Sequence, residues 1–175
     1  GDVYKRQLFN TLGPLLSPGH PEFQMMGIAN PAQGELIAEV FRDLGRSRAL
    51  VVHGAGTDEI AVHGSTQVGE LREGSVRSYE LTPEKLGVRH HDLSALAGGD
   101  GAANARSLRA VFSGNGAPAH YDAIAANAGA MFYLYGTAES IAGGVVHAKE
   151  LIDSGEVGAW LKKHEEANYG TADRA

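Results

Sequence analysis

Residues 23–56, FQMMGIANPAQGELIAEVFRDLGRSRALVVHGAG, contain two short apolar runs that flank a segment with a helical repeat. The first run covers residues 23–29 and stops at Asn30-Pro31, and the second run covers residues 49–56. The apolar side chains that recur at helical spacing between the runs are Leu36, Ile37, Val40, Phe41 and Leu44. A strand, a helix and a strand in so short a segment predict a βαβ unit with a parallel strand pair.

The chain beyond Ser65 follows different repeats. Residues 66–81 alternate about a polar Arg72-Glu73-Gly74 centre, which predicts an antiparallel hairpin. Helical segments are predicted at residues 82–88, 98–114, 118–136, 137–155 and 156–170, with N-caps at Thr82 and Asp100 and a start at Thr137. The predicted fold class is therefore α/β, with a largely parallel sheet, flanking helices and one antiparallel hairpin.

Composition narrows the class of protein. The 175 residues carry a net charge of −6 without a basic block, so nucleic acid is not expected as a partner. Residues of the hydrophobic class make up 43% of the chain, but no apolar run approaches the ~18 residues of a membrane span, so no membrane association is expected. The absence of cysteine rules out disulfides and thiolate metal sites and fits a reducing cytoplasm.

An acidic pair, Asp58 and Glu59, follows the second predicted strand. Ligands of open α/β sheets bind beyond the carboxyl ends of the strands, and Gly54 and Gly56 allow a backbone to approach such a ligand closely. Paired carboxylates suit Mg²⁺, which proteins often hold together with substrate phosphates. A solvated turn with two surface acids is the alternative, and spacing alone favours that alternative.

Other polar residues are assigned structural roles. His53, at a strand end, is placed to contact a ligand, but a structural hydrogen bond is favoured. The histidines lack the spacing of a zinc site. Asn127 lies in a predicted buried helix, where a hydrogen bond to a backbone or loop group is favoured. There is no Gly-x-Ser-x-Gly nucleophile turn. No residue is assigned a catalytic or cofactor-binding role.

Four segments carry a family resemblance. They are LFNTLGPLLSP at 8–18, ALVVHGAGTDEIAVHGST at 49–66, LAGGDGAANA at 96–105 and AIAANAGAMFYLYG at 123–136. In this order and spacing they resemble the C-terminal α/β part of the anthranilate phosphoribosyltransferase family, whose wider group also holds pyrimidine nucleoside phosphorylases. The resemblance covers about residues 8–161. Ser17 and Thr57 depart from the residues usual in the family but leave the acidic pair intact.

The resemblance implies an activity in tryptophan biosynthesis. The family transfers a 5-phosphoribosyl group from phosphoribosyl pyrophosphate to anthranilate, with Mg²⁺ on the diphosphate. The family's Asp-Glu pair, matched here by Asp58 and Glu59, ligates magnesium. The resemblance further implies a homodimer at full length, a possible association with anthranilate synthase, and a cytoplasmic location.

The resemblance also implies a truncated chain. Residues 1–21 are expected to be a connector from a missing N-terminal helical region and residues 22–175 to form the α/β domain, while the native origin of residues 1–7 stays open. The family's phosphate-binding glycine loop lies upstream of this chain, so the 175 residues alone are expected to be inactive. Arg6 is out of register with the family's anthranilate-binding arginine and is not assigned its role.

Two alternative functions stay open on the sequence. One is a phosphorolytic relative acting on pyrimidine nucleosides, although such relatives generally lack the Asp-Glu turn. The other is a non-catalytic homologue that binds nucleic acid or acts as a structural module. The acidic net charge and the retained acidic pair argue against this second alternative.

Overall fold

A computed structural model describes Gly13, Leu15 and residues 19–169 of the chain. The predicted connector, residues 1–21, lies outside the described residues except at Gly13, Leu15 and residues 19–21.

The centre of the fold is a sheet with the strand order β1-β2-β3-β4. The strands are β1 (Phe23–Gly27), β2 (Arg48–Gly54), β3 (Thr66–Arg72) and β4 (Ser75–Leu81). The predicted parallel pair β1–β2 and the predicted hairpin β3–β4 are confirmed. The described sheet is mixed rather than largely parallel, since β3 runs antiparallel to β2. The reason is that residues 55–65 contain no crossover helix, which a parallel connection requires.

Helices cover both faces of this sheet. They are α1 (Gly34–Asp43), α2 (Pro83–Leu86), α3 (Gly101–Phe112), α4 (Pro118–Leu134), α5 (Ile141–Asp153) and α6 (Glu156–Tyr169). Short 3-10 turns occupy Pro31–Gln33 and Leu93–Leu96. None of the helices in the described part of the chain combines the length and the apolar character needed to cross a lipid bilayer.

Helix caps explain where these helices begin. The predicted N-caps are confirmed, because the side chains of Thr82 and Asp100 accept hydrogen bonds from the first turns of α2 and α3. The predicted start of α5 at Thr137 is four residues too early, since the helix begins at Ile141. Thr137 instead closes the end of α4 by donating its N–H to Phe132 O at 2.9 Å. Ser140 caps α5 by accepting a hydrogen bond from Gly143 N at 3.0 Å.

Strand β2 is buried on both faces, so its side chains serve two separate cores. On one face, α1 packs over Ala49 and Val51. On the other face, α4 and α5 pack over Leu50 and Val52. The carboxyl end of this central strand, at Gly54, is where the acidic pair begins its turn.

Candidate functional site

The acidic pair lies in a tight turn directly after β2. Gly54 N donates to Thr57 O at 2.9 Å, and Thr57 N donates back to Gly54 O at 2.9 Å. The Thr57 hydroxyl adds a third bond, to Gly54 O at 2.7 Å. Ala55 enables the reversal with a left-handed φ of 46°. The side chains of Asp58 and Glu59 emerge exposed at the carboxyl end of the parallel pair, as the sequence predicted.

The backbone of the turn rests on glycines at the ends of two strands. A methyl group built on Gly27, the last residue of β1, would overlap the carbonyl oxygen of Asp58. A methyl group built on Gly54, the last residue of β2, would overlap the carbonyl oxygen of Glu59 and lie 2.6 Å from Ala61 N. Both strand ends therefore require glycine, because the backbone of the turn occupies the space of a side chain.

Two side chains hold the backbone that follows the acidic pair. Asn127, on α4, accepts a hydrogen bond from Ile60 N at 3.0 Å and donates one to Ile60 O at 3.1 Å. The buried Thr66 hydroxyl accepts a hydrogen bond from Ala61 N at 2.9 Å. The prediction that Asn127 bonds a backbone or loop group is thereby confirmed. Strands β1, β2 and β3 and helix α4 all contribute to fixing this turn.

A cleft of about 470 Å³ opens beside the acidic pair. Its apolar wall includes Leu93, Leu96, Leu108 and Ile124. Its polar lining, besides Asp58 and Glu59, includes His63, Asn104, Ser107 and His120. Leu93 and Leu108 are 56% and 40% exposed, which is high for leucine and reflects their position on an open wall. The acids therefore border a space large enough for a small ligand.

The donor set of the turn fits magnesium. Among the described residues, no group of three or more histidine, cysteine, aspartate or glutamate side chains is arranged to hold a metal ion by itself. Asp58 and Glu59 offer hard carboxylate oxygens on a backbone fixed by Gly27 and Gly54. Mg²⁺ keeps several waters and commonly binds one or two carboxylates together with substrate phosphates. The acidic pair is therefore suited to part of such a shell.

Comparison with protein families identifies the chain. The model of the glycosyl transferase family, a/b domain, matches residues 2–157. The chain belongs to this family.

Several curated relatives in the glycosyl transferase family share one name. The chain is 74% identical over 168 residues to an anthranilate phosphoribosyltransferase of Corynebacterium aurimucosum, covering 96% of this chain and 49% of that protein. The chain thus spans about half the length of the curated relatives it matches. The resemblance predicted from the sequence is confirmed, and these relatives do not favour the nucleoside phosphorylase alternative.

Solved structures of the glycosyl transferase family confirm the fold class. An anthranilate phosphoribosyltransferase from Thermus thermophilus superposes with a TM-score of 0.80 at 38% identity, covering 89% of this chain and 46% of that one. The Saccharomyces cerevisiae enzyme, in complex with PRPP and Mg, gives a TM-score of 0.69 at 29% identity. That superposition covers 85% of this chain and 43% of the yeast chain. A relative with this fold therefore holds both PRPP and magnesium.

The histidines near the turn have structural contacts. His53 Nδ1 donates to Ile28 O at 2.8 Å, which confirms the predicted hydrogen bond at the end of β2. His63 Nε2 lies 3.3 Å from Ala55 O and supports the far side of the turn. His91 contacts the buried carboxylate of Asp122 at 2.8 Å. These three histidines contact different parts of the fold and do not form a common site.

Sequence reasoning missed a buried carboxylate behind the cleft. Asp122, on α4, is 2% exposed and lies within 3.3 Å of Arg89, His91 and Lys149. Burial raises the pKa of Asp122, but hydrogen bonds and charge from His91, Lys149 and Arg89 outweigh it, so the pKa lies below its ordinary value. The network ties α4 and α5 to residues 87–91, which lead into the wall of the cleft.

A second buried carboxylate lies at the opposite end of the sheet. Glu70, on β3, is 2% exposed and accepts from Arg77 Nη2 at 2.8 Å and Nε at 3.0 Å. Arg77 is its direct cross-strand partner on β4. The Tyr133 hydroxyl donates to the other Glu70 oxygen and accepts from Arg72 Nη1 at 2.8 Å. A strand pattern alone does not distinguish such a residue from a surface glutamate.

Proposed function

We propose that the full-length protein transfers the 5-phosphoribosyl group of phosphoribosyl pyrophosphate to the amine of anthranilate, and that Asp58 and Glu59 bind Mg²⁺ in this reaction. The bond between C1′ of the ribose and the pyrophosphate oxygen breaks, and a bond forms between C1′ and the anthranilate nitrogen. Pyrophosphate leaves with the electron pair, and the amine loses one proton. The products are N-(5-phosphoribosyl)anthranilate and pyrophosphate.

One observation carries the proposal: two exposed carboxylates lie on a fixed turn beside a cleft. The chain that holds them is 74% identical to an anthranilate phosphoribosyltransferase. A solvated surface turn would not require the backbone of the acids to pack against glycines at two strand ends. Nor would it require an amide from α4 to bond the next residue. The supports around Asp58 and Glu59 favour a binding role over the solvated turn.

The acidic pair would act at the leaving group. When bound, Mg²⁺ neutralises negative charge that grows on the pyrophosphate as C1′ becomes oxocarbenium-like. Asp58 and Glu59 would supply carboxylate oxygens at one side of the diphosphate, and their fixed backbone would keep those oxygens in place without reorganisation. The cleft beside them would offer the substrate space next to these oxygens.

The proposal is tested with the full-length protein and two substitutions, Asp58→Asn and Glu59→Gln. Both retain the size of the side chain and remove its charge. Anthranilate consumption, followed by its fluorescence, is measured against Mg²⁺ concentration at saturating phosphoribosyl pyrophosphate. We expect each variant to need at least about tenfold more Mg²⁺ for half-maximal rate, as typical for a lost contact to a metal site.

Asp43→Asn is the matched control, because Asp43 is an exposed acid on α1 whose side chain is 72% accessible. Its magnesium dependence should equal that of the wild type. A double variant of Asp58 and Glu59 with unaltered magnesium dependence would show that the acids lie in a solvated turn. Absence of phosphoribosyl transfer by the full-length wild type would overturn the reaction itself.

The proposal extends to assembly and compartment. A homodimer, an association with anthranilate synthase and a cytoplasmic location are proposed from the family resemblance. The cysteine-free sequence supports a reducing compartment. Sedimentation of the full-length protein, co-purification with anthranilate synthase and cell fractionation test these three points separately.

A further inference from the structure

We infer that Asn127 is a positioning residue for the acidic pair: its amide, on α4, holds the peptide between Glu59 and Ile60 and thereby sets where the carboxylates lie. This inference rests on the proposed function of Asp58 and Glu59. It concerns a residue 67 positions away in the sequence from the backbone it holds.

The peptide unit between Glu59 and Ile60 is held at both of its ends. Its carbonyl oxygen packs against Gly54, where no side chain would fit. Its N–H donates to Asn127 Oδ1 at 3.0 Å. A planar peptide fixed at oxygen and nitrogen cannot rotate, so the Cα of Glu59 has a defined position. Among these contacts, the one from α4 is made by a side chain and can be changed without altering the strands.

A primary amide suits this position because it both donates and accepts. Oδ1 accepts from Ile60 N, while Nδ2 donates to Ile60 O at 3.1 Å and to Ala123 O at 3.0 Å. A carboxylate has no proton to donate, and a hydroxyl is too short to bond both groups of Ile60. The bond to Ala123, one turn earlier on the same helix, holds the side chain in the orientation that reaches Ile60.

The support behind Asn127 is rigid. Ala125 and Ala126, its neighbours on α4, are fully buried, and α4 packs closely against α5 through Gly129 and Gly144. Ile60 is itself 2% exposed, so its side chain remains anchored when the amide is removed. Loss of Asn127 should therefore loosen the acidic pair while leaving the fold in place. Sites that must hold ligands accurately depend on such outer support.

The test uses the full-length protein with Asn127→Ala and Asn127→Ser. Serine retains a hydroxyl that can donate to Ala123 O but that does not reach Ile60, so it removes the contact at lower risk to the helix. Tyr121→Phe is the matched control, because it removes one side-chain hydrogen bond of α4, the bond to Asp153, away from the turn. All variants are first checked for cooperative thermal unfolding.

Two measurements separate positioning from a general structural role. Hydrogen exchange of the Ile60 amide reports the contact directly, and we expect at least tenfold faster exchange in both Asn127 variants. Binding of Mn²⁺ with pyrophosphate, followed by electron paramagnetic resonance, reports the acidic pair. We expect its dissociation constant to rise about tenfold in both Asn127 variants. Tyr121→Phe should change neither quantity.

The outcomes distinguish this inference from the proposed function. If both Asn127 variants show faster exchange of the Ile60 amide but bind Mn²⁺ with wild-type affinity, the positioning role is overturned. Unchanged exchange of the Ile60 amide in both variants would overturn it as well. If the double variant of Asp58 and Glu59 binds Mn²⁺ as the wild type does, the proposed metal role fails instead. Should Asn127→Ala not fold, Asn127→Ser decides by the same two measurements.

Discussion

The carbonyl oxygen of Asp58 packs against Gly27 so closely that no side chain fits at position 27. The last residue of β1 is thereby in direct contact with the backbone of the acidic pair, although 31 positions separate them. The position of an exposed acidic residue usually depends little on the residues around it. Here the position of the acid depends on a missing Cβ in a neighbouring strand.

Gly27→Ala should displace the acidic pair. The added methyl group overlaps the Asp58 carbonyl, so either the turn moves or β1 is strained, at a cost of about 1–3 kcal/mol in the free energy of unfolding. Urea denaturation measures the cost, and Mn²⁺ binding with pyrophosphate measures the displacement. Gly101→Ala is the control, because a methyl group there meets open space at the start of α3. Equal stability of the two alanine variants would contradict this account.

Tyr133→Phe should destabilise the protein by about 1–3 kcal/mol, because it leaves one oxygen of the buried Glu70 carboxylate without its hydroxyl donor. The ring and its packing are retained, so the loss reports the two hydrogen bonds of the hydroxyl, the one donated to Glu70 and the one accepted from Arg72 Nη1. Equilibrium denaturation in urea measures it. Tyr121→Phe removes a hydroxyl that bonds the exposed Asp153, where water can replace it, and should cost no more than about 0.5 kcal/mol. If Tyr133→Phe lowers the free energy of unfolding no more than Tyr121→Phe does, the Tyr133 hydroxyl does not stabilise the buried Glu70 carboxylate.

Asp122→Asn should lower the free energy of unfolding at neutral pH by about 2 kcal/mol, less than for a fully buried pair because Arg89 and Lys149 reach solvent. The amide keeps the shape of the side chain but removes the charge that Arg89, His91 and Lys149 surround. Asp43→Asn, in an exposed pair with Arg42, should be close to neutral. Similar losses in the two variants would mean that the buried network adds no stability.

Asp122 also predicts the direction of a pH dependence. The pKa of Asp122 in the folded protein lies below the ordinary value of 3.8. Between these two pKa values, the unfolded chain binds a proton at Asp122 that the folded protein does not. Stability from Asp122 is therefore present above pH 3.8 and is lost as the pH falls through the lower, folded pKa. Denaturation of wild type and Asp122→Asn across this range should give converging curves. Parallel curves would exclude the lowered pKa.

The hairpin turn offers a stabilising substitution. Glu73 and Gly74, the two residues between β3 and β4, have φ values of 52° and 74°. Such turns favour Asn-Gly, so Glu73→Asn should raise the free energy of unfolding by about 0.5–1 kcal/mol. Thermal denaturation measures the gain. Glu73→Ala removes the same carboxylate without suiting the backbone, so an equal gain from alanine would attribute the effect to charge.

Local sequence patterns are sufficient to predict most of the helices and strands. The β1–α1–β2 unit follows from hydrophobic spacing, and the β3–β4 turn follows from Glu73-Gly74 between alternating runs. The start of α5 was misplaced because Thr137 and Ser140 are both good N-cap residues, and only tertiary contacts decide between them. The direction of β3 depends on the absence of a helix in residues 55–65, a feature that the hydrophobic pattern of the strands does not encode.

The candidate site was only partly predictable. The position of Asp58 and Glu59 after a strand, together with the family resemblance, predicts a metal site there, and the sequence predicts a hydrogen bond for Asn127 without indicating its partner. The partner, Ile60, is distant in sequence, and no periodicity encodes a contact at that separation. The same holds for Asp122 and Glu70, whose positively charged partner side chains lie on other parts of the fold. Contacts of this kind emerge only when the chain is folded.

The supports of the acidic turn bear on whether it can be transplanted. Gly27, Gly54 and Asn127 belong to three different elements, two of which lie outside residues 51–64. A synthetic peptide of residues 51–64, or the same loop grafted onto another scaffold, would carry both carboxylates and Gly54 but would lack the contacts with Gly27 and Asn127. Redesign of this loop must therefore treat two strand ends and one helix as part of the same module.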